Sequence, residues 1–239
     1  IGTTVTVHLM AFNLTKYSLE FITIGYIVFA FSPKESRIRH LGESLIGLGL
    51  MFFGFDMMGN SMRPLREYSP FLDFLVSIDN TWSAILVSTI FTLAIQSSAA
   101  VLGIVMALAR QGFLSHLSAV AMVLGANLGT TGTALVVSLG KKTDTLRVAV
   151  AYVVLKAAGI IAIAPVLETF ISIMYKISGE SGVFPTTKEE RGVTVPGAIP
   201  LAHSVFNVFI ALAFLPFTGV VAYVVEKIVP DGAKKKLKK

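Results

Sequence analysis

From Trp82 to Ala109 the chain runs for 28 residues without a charge, and Gln96, Ser97 and Ser98 stand near the middle of that run. Three adjacent polar residues in an apolar setting cost desolvation free energy unless something satisfies them. An unbroken helix of this length measures about 42 Å, which exceeds the roughly 30 Å hydrocarbon core of a bilayer. A re-entrant hairpin or a helix broken at the polar group resolves both conflicts. A second polar knot, GANLGTTGT at Gly125–Thr133, lies inside the next apolar segment, Phe113–Leu139. The spacing predicts an interruption there too, at 125–131.

Composition agrees with this reading. The 239 residues are 54% hydrophobic and 14% charged, against about 25% charged in ordinary soluble domains. Long apolar blocks with charges at their boundaries predict an all-α polytopic membrane protein in the cell membrane. The net charge of +6 is partly local, in the tail KKKLKK at Lys234–Lys239. It reads as a topology and anionic-lipid signal on a cytoplasmic tail, not as a nucleic-acid stripe. With no cysteine, disulfides and thiolate chemistry are excluded. The four histidines show no metal-ligand spacing, and no nucleophile–base–orienter set is legible, so neither a cofactor nor an enzyme is expected.

Along the chain, residues 32–40 predict a charged loop and Leu41–Met62 a glycine-rich helix suited to close packing. Asp56 in that helix is either an intramembrane cation or proton site, or a partner for Arg63. Residues 63–80, broken by Pro64 and Pro70, predict an interfacial stretch or a short re-entrant arm. Residues 176–192 predict a loop, and 193–229 the last membrane helices. Lys156, in an apolar run, is expected to snorkel to the interface, with a buried counter-charge as the alternative.

An internal repeat is visible. Ile1–Thr6, IGTTVT, matches Leu128–Thr133, LGTTGT, at an offset of 127, and the hydropathy match continues downstream. Two interrupted hydrophobic segments in corresponding halves are a transporter pattern. Breaking a helix at the midplane frees backbone groups that hold ions where protein or a wet cavity covers them. Side-chain oxygens of Gln96, Ser97 and Ser98, and of Asn127, Thr130 and Thr131, suit sodium, and their N–H and O–H groups suit an oxyanion. Helix–helix hydrogen bonding is the competing account of the first knot. A tight turn with close helix packing, around Gly125 and Gly129, is that of the second. His203 and Asn207, four apart, share a helix face, with His203 expected as a hydrogen-bonding brace.

These motifs together carry a resemblance. QSSAA at 96–100 followed by GANLGTTGTA at 125–134 resembles the paired motifs of the sodium/phosphate cotransporter family, the type II class with its bacterial relatives. IGTTVT at 1–6, the segment Leu48–Leu65 and AHSVFN at 202–207 are similar to further family segments, so the likeness covers essentially the whole chain. It implies sodium-coupled symport of inorganic phosphate by inverted repeats, each with a re-entrant hairpin. Carried over, Gln96, Ser97 and Ser98 line the substrate and sodium site. Asn127, Thr130 and Thr131 sit close by, and Thr3 and Thr4 are their first-repeat partners. Sodium is then held through Gln96, Ser97, Ser98, Thr130 and Thr131. Ala99 departs from the usual third serine. The first-repeat QSSS motif is absent, so the expectation is a fragment: 1–31 the tail of a first repeat, 32–62 a linker and the first helix of the second repeat, 63–175 the second repeat, 230–239 a basic tail. Such a chain needs the upstream segment as a partner, with a homodimer as a further candidate. The rival readings are a carrier of another oxyanion and a membrane scaffold in phosphate sensing.

Overall fold

The computed structural model describes residues 2–11, 14–61, 68, 70, 78, 80–178 and 187–231. Regular structure among them is entirely helical: α1 (Gly2–Ala11), α2 (Ser18–Phe31), α3 (Arg37–Ser61), α4 (Thr81–Ile95), α5 (Ser98–Arg110), α6 (His116–Ser138), α7 (Thr143–Ile163), α8 (Leu167–Ser178), α9 (Lys188–Phe214) and α10 (Thr218–Ile228). Short 3-10 turns at Ala164–Val166 and Leu215–Phe217, each carrying a proline, join α7 to α8 and α9 to α10. Proline removes a backbone donor and tightens the chain without ending the apolar segment. Among the described residues, three such stretches are long and apolar enough to cross a membrane: His116–Ser138, Thr143–Ile177 and Lys188–Ile228. The chain is a multi-pass protein of the cell membrane.

Helix starts follow local chemistry. The Asn80 side chain accepts from the Trp82 N–H at 2.9 Å and opens α4, and Ser115 accepts from the Ser118 N–H at 3.0 Å and opens α6. Thr187 and Glu190 form a reciprocal capping box at 3.2 and 3.4 Å, satisfying free N–H groups at the start of α9. Of the loop expected over 176–192, residues 179–186 lie outside the described residues, and the two ends are helical. Helix α8 continues to Ser178, and 188–192 form the first turn of α9.

Helix α6 is the centre of the fold. Residues 119–127 are buried without interruption, as in a helix covered on every side. The core around it includes Leu102 of α5, Leu124, and Ile199 and Phe206 of α9. Helices α7, α9 and α10 turn Val148, Ile161, Leu212, Val220 and Tyr223 outward, an apolar surface suited to lipid. Helices α2 and α3 form an antiparallel pair. A Cβ on Gly42 would come within 2.6 Å of the Phe29 nitrogen, so glycine allows the backbones to meet.

Asp56 lies on an exposed part of α3. Its expected partner Arg63, most of the 63–80 arm and the lysine tail lie outside the described residues.

Candidate functional site

The first knot breaks the helix where expected. Helix α4 ends at Ile95, and Gln96 takes the left-handed conformation (φ 57°, ψ 24°) with its N–H bonded to the Thr92 carbonyl at 2.8 Å. Ser97 is extended, and its Oγ accepts from the Ala100 N–H at 3.2 Å, starting α5. A non-glycine residue in this region costs roughly 1–2 kcal/mol, and glycine is the ordinary occupant at such a helix end. Gln96 therefore carries a conformational cost that glycine would not. Gln96 is exposed, and Ser97 and Ser98 are half-buried.

The second knot does not break. Helix α6 runs unbroken through Gly125–Thr133, which corrects the interruption expected at 125–131. The hydroxyls are satisfied within the helix: Thr130 donates to the Ala126 carbonyl (2.8 Å), Thr131 to Leu128 (2.6 Å) and Thr133 to Thr130 (2.7 Å). Its glycines receive α4. A Cβ on Gly125 would lie 2.3 Å from the Ile85 carbonyl oxygen, and one on Gly129 would lie 2.4 Å from the Thr92 Cβ. Ser88 donates to the Met122 carbonyl at 2.6 Å, and Thr89 to the Gly125 carbonyl at 3.1 Å. These pairs advance together, so α4 and α6 run parallel. The knot meets the body of α4 through Thr89 and Thr92, while the turn at Gln96 comes one helical turn later.

A set of polar side chains does converge inside the bundle, drawn from four helices. Thr4 of α1 has its Oγ1 2.8 Å from His203 Nδ1. The Asn207 amide N–H group lies 3.3 Å from the same nitrogen and donates to the His203 carbonyl at 2.6 Å. Two donors facing Nδ1 make it the acceptor and leave the ring proton on Nε2. The Lys156 ammonium of α7 donates to Asn207 Oδ1, and to Asn127 Oδ1 of α6 at 3.2 Å. Asn127 Nδ2 returns to the Val123 carbonyl at 3.3 Å. Lys156, Asn127 and His203 are buried, and Thr4 and Asn207 half-buried.

This network unites Thr4, Asn127, His203 and Asn207, all expected, with Lys156. His203 contacts Thr4 and Asn207 through one ring nitrogen. Gln96, Ser97 and Ser98 stand apart from it at the turn, Thr130 and Thr131 bond within their own helix, and Thr3 lies in the first turn of α1. Lys156 does not snorkel. It lies beyond the third turn of α7, too far from the charged start at Asp144 and Arg147 to reach water alongside them. A sequence signal existed: Ala151–Lys156, AYVVLK, parallels Ala202–Asn207, AHSVFN, placing Lys156 where Asn207 stands. No group of three or more histidine and carboxylate side chains suited to a metal ion occurs among the described residues.

Known proteins show the same lineage. The profile of the family described as Na+/Pi-cotransporter matches residues 1–60 and 71–178. The uncharacterized protein YqeW of Bacillus subtilis (strain 168) is 28% identical over 233 residues, covering 96% of this chain and 70% of YqeW. The putative inorganic phosphate export protein YjbB of Salmonella typhimurium is 25% identical over 232 residues, and that of Escherichia coli (strain K12) 26% identical over 233. In both cases the match spans 97% of this chain but 40% of the relative. No solved structure matches the chain.

Proposed function

The chain belongs to the Na+/Pi-cotransporter family, and from that premise we propose that it is a sodium-coupled carrier of inorganic phosphate working by alternating access. It is a transport protein, not an enzyme. The observation that carries the reading is the buried network Thr4–His203–Asn207–Lys156–Asn127, built from four helices of a membrane bundle. Buried polar groups in such a setting are expensive and mark solute pathways. In this reading the exposed Gln96 amide and the Ser97 and Ser98 hydroxyls at the α4–α5 turn form the tip of a re-entrant hairpin. Oxygens of Gln96, Ser97, Ser98, Thr130 and Thr131 ligate sodium, whose charge offsets the cost of desolvating phosphate.

The repeat gains support from helix bounds. Adding 127 to the limits of α1 gives Gly129–Ser138, the C-terminal part of α6 to its last residue, and adding it to those of α2 gives 145–158, inside α7. A two-fold site of this kind is completed by the first-repeat segment or by a second copy of the chain. Rocking of the two halves about it then alternates access.

Sodium-driven accumulation of radiolabelled phosphate in proteoliposomes tests the proposal. A sodium gradient in either direction should drive phosphate down the path of the sodium. A preparation that moves none under both gradients defeats it. The export named for the YjbB relatives favours a second reading, net efflux. Faster sodium-dependent release from loaded cells carrying the protein would favour that direction.

A further inference from the structure

The charge of Lys156 is the least explained feature of the bundle. Its ammonium sits between the amide oxygens of Asn127 on α6 and Asn207 on α9, and its side chain is buried. The faces of Phe206 and Tyr152 lie 5.4 and 5.8 Å from the nitrogen, within the range of cation–π attraction. Every one of these partners is neutral. The ion pairs among the described residues, His40–Glu43, Arg147–Asp144 and Arg147–Asp231, do not involve it. A buried charge without an opposite charge is costly in low dielectric, and hydrogen bonds to two amides offset only part of that cost.

Neutral carbonyl oxygens converging from separate helices are ligands of the type that hard cations take. Here the cation is covalently attached. The result is a cationic side chain in a network whose other groups, the Thr4 hydroxyl, His203 and the two asparagines, are uncharged donors and acceptors. An oxyanion that entered this network would meet its counter-charge already in place.

We propose that Lys156 is a tethered cation of the anion site, supplying from within the chain positive charge that a sodium ion supplies at a site of neutral oxygens. This rests on the phosphate-carrier reading and deepens it: part of the charge compensation for phosphate is built in, so binding is only partly dependent on sodium. A residue that merely bolts α6, α7 and α9 together would lower stability on removal without altering the sodium dependence of binding.

The test measures binding of radiolabelled inorganic phosphate to the purified protein, in sodium and in N-methylglucamine. The wild-type protein should bind phosphate in both media. Lys156→Asn removes the charge but keeps an amide able to bond to its neighbours, and should weaken sodium-free binding by about tenfold or more, the loss of one charge-assisted contact. Equal sodium-free affinity in the variant and the wild type overturns the inference. So does wild-type binding that occurs only with sodium, a measurement that stands even where the variant does not fold. A wild-type protein that binds phosphate in neither medium overturns the carrier reading together with this inference.

Discussion

The two polar knots of this chain look alike in sequence and fold in opposite ways. At Gln96–Ser98 the helix stops, turns through a left-handed residue and restarts on a serine cap. At Gly125–Thr133 the helix passes straight through. Threonine and serine can satisfy their hydroxyls on carbonyls three or four residues back, so a polar run need not leave the helix. Glycine need not either, when a neighbouring helix packs against the bare backbone and recovers in contact what is lost in propensity. Polar residues in an apolar segment therefore announce a cost, and the packing partner decides how it is met.

Substitutions can break this comparison at three points. The largest effect is expected at Gly125. Valine there drives carbon atoms into the Ile85 carbonyl, 2.3 Å from the first of them, and separates α4 from α6. Overpacking of this kind costs about 1–3 kcal/mol or more. Thermal unfolding in detergent should show a large loss of stability or of folded yield; a wild-type melting curve would mean that α4 does not seat on this face.

Gln96→Gly comes next and separates conformation from chemistry. Glycine accepts φ 57° freely, so stability should hold or rise by about 1 kcal/mol. Transport should nonetheless fall about tenfold or more, since a hydrogen bond to a charged solute is worth about 1.5–3 kcal/mol. Unimpaired transport by this variant would leave the turn as a purely structural break and favour the scaffold view of its side chain. Ser97→Ala comes last, by its effect on stability alone. It removes the cap of α5, 3.2 Å from the Ala100 nitrogen, at about 1 kcal/mol, measurable as a modest drop in melting temperature.

Much of the candidate site was legible in the residues. Asn127 stands out as a polar group in an apolar run, His203 and Asn207 by their spacing of four on one helix face, and Thr4 through the repeat that pairs it with Thr131. Lys156 was misplaced, because its reach to the interface depends on where its helix starts and on what surrounds it. The close packing of α4 on α6 was visible only as a competing account of the glycines.

What the sequence by itself determined is the class of molecule and the break in it. Long uncharged runs leave a backbone no choice but helix in a bilayer, and a run too long to span, with glutamine and two serines at its centre, must turn there. What only the tertiary structure decided is which polar groups meet. Thr4, Asn127, Lys156, His203 and Asn207 come from four helices scattered over two hundred residues. Local periodicity places each on a face, but the register between helices, set by glycine contacts and by the parallel run of α4 along α6, brings the faces together. The same register seats Lys156 between two asparagines instead of at the water's edge, and so puts its ammonium inside the polar network.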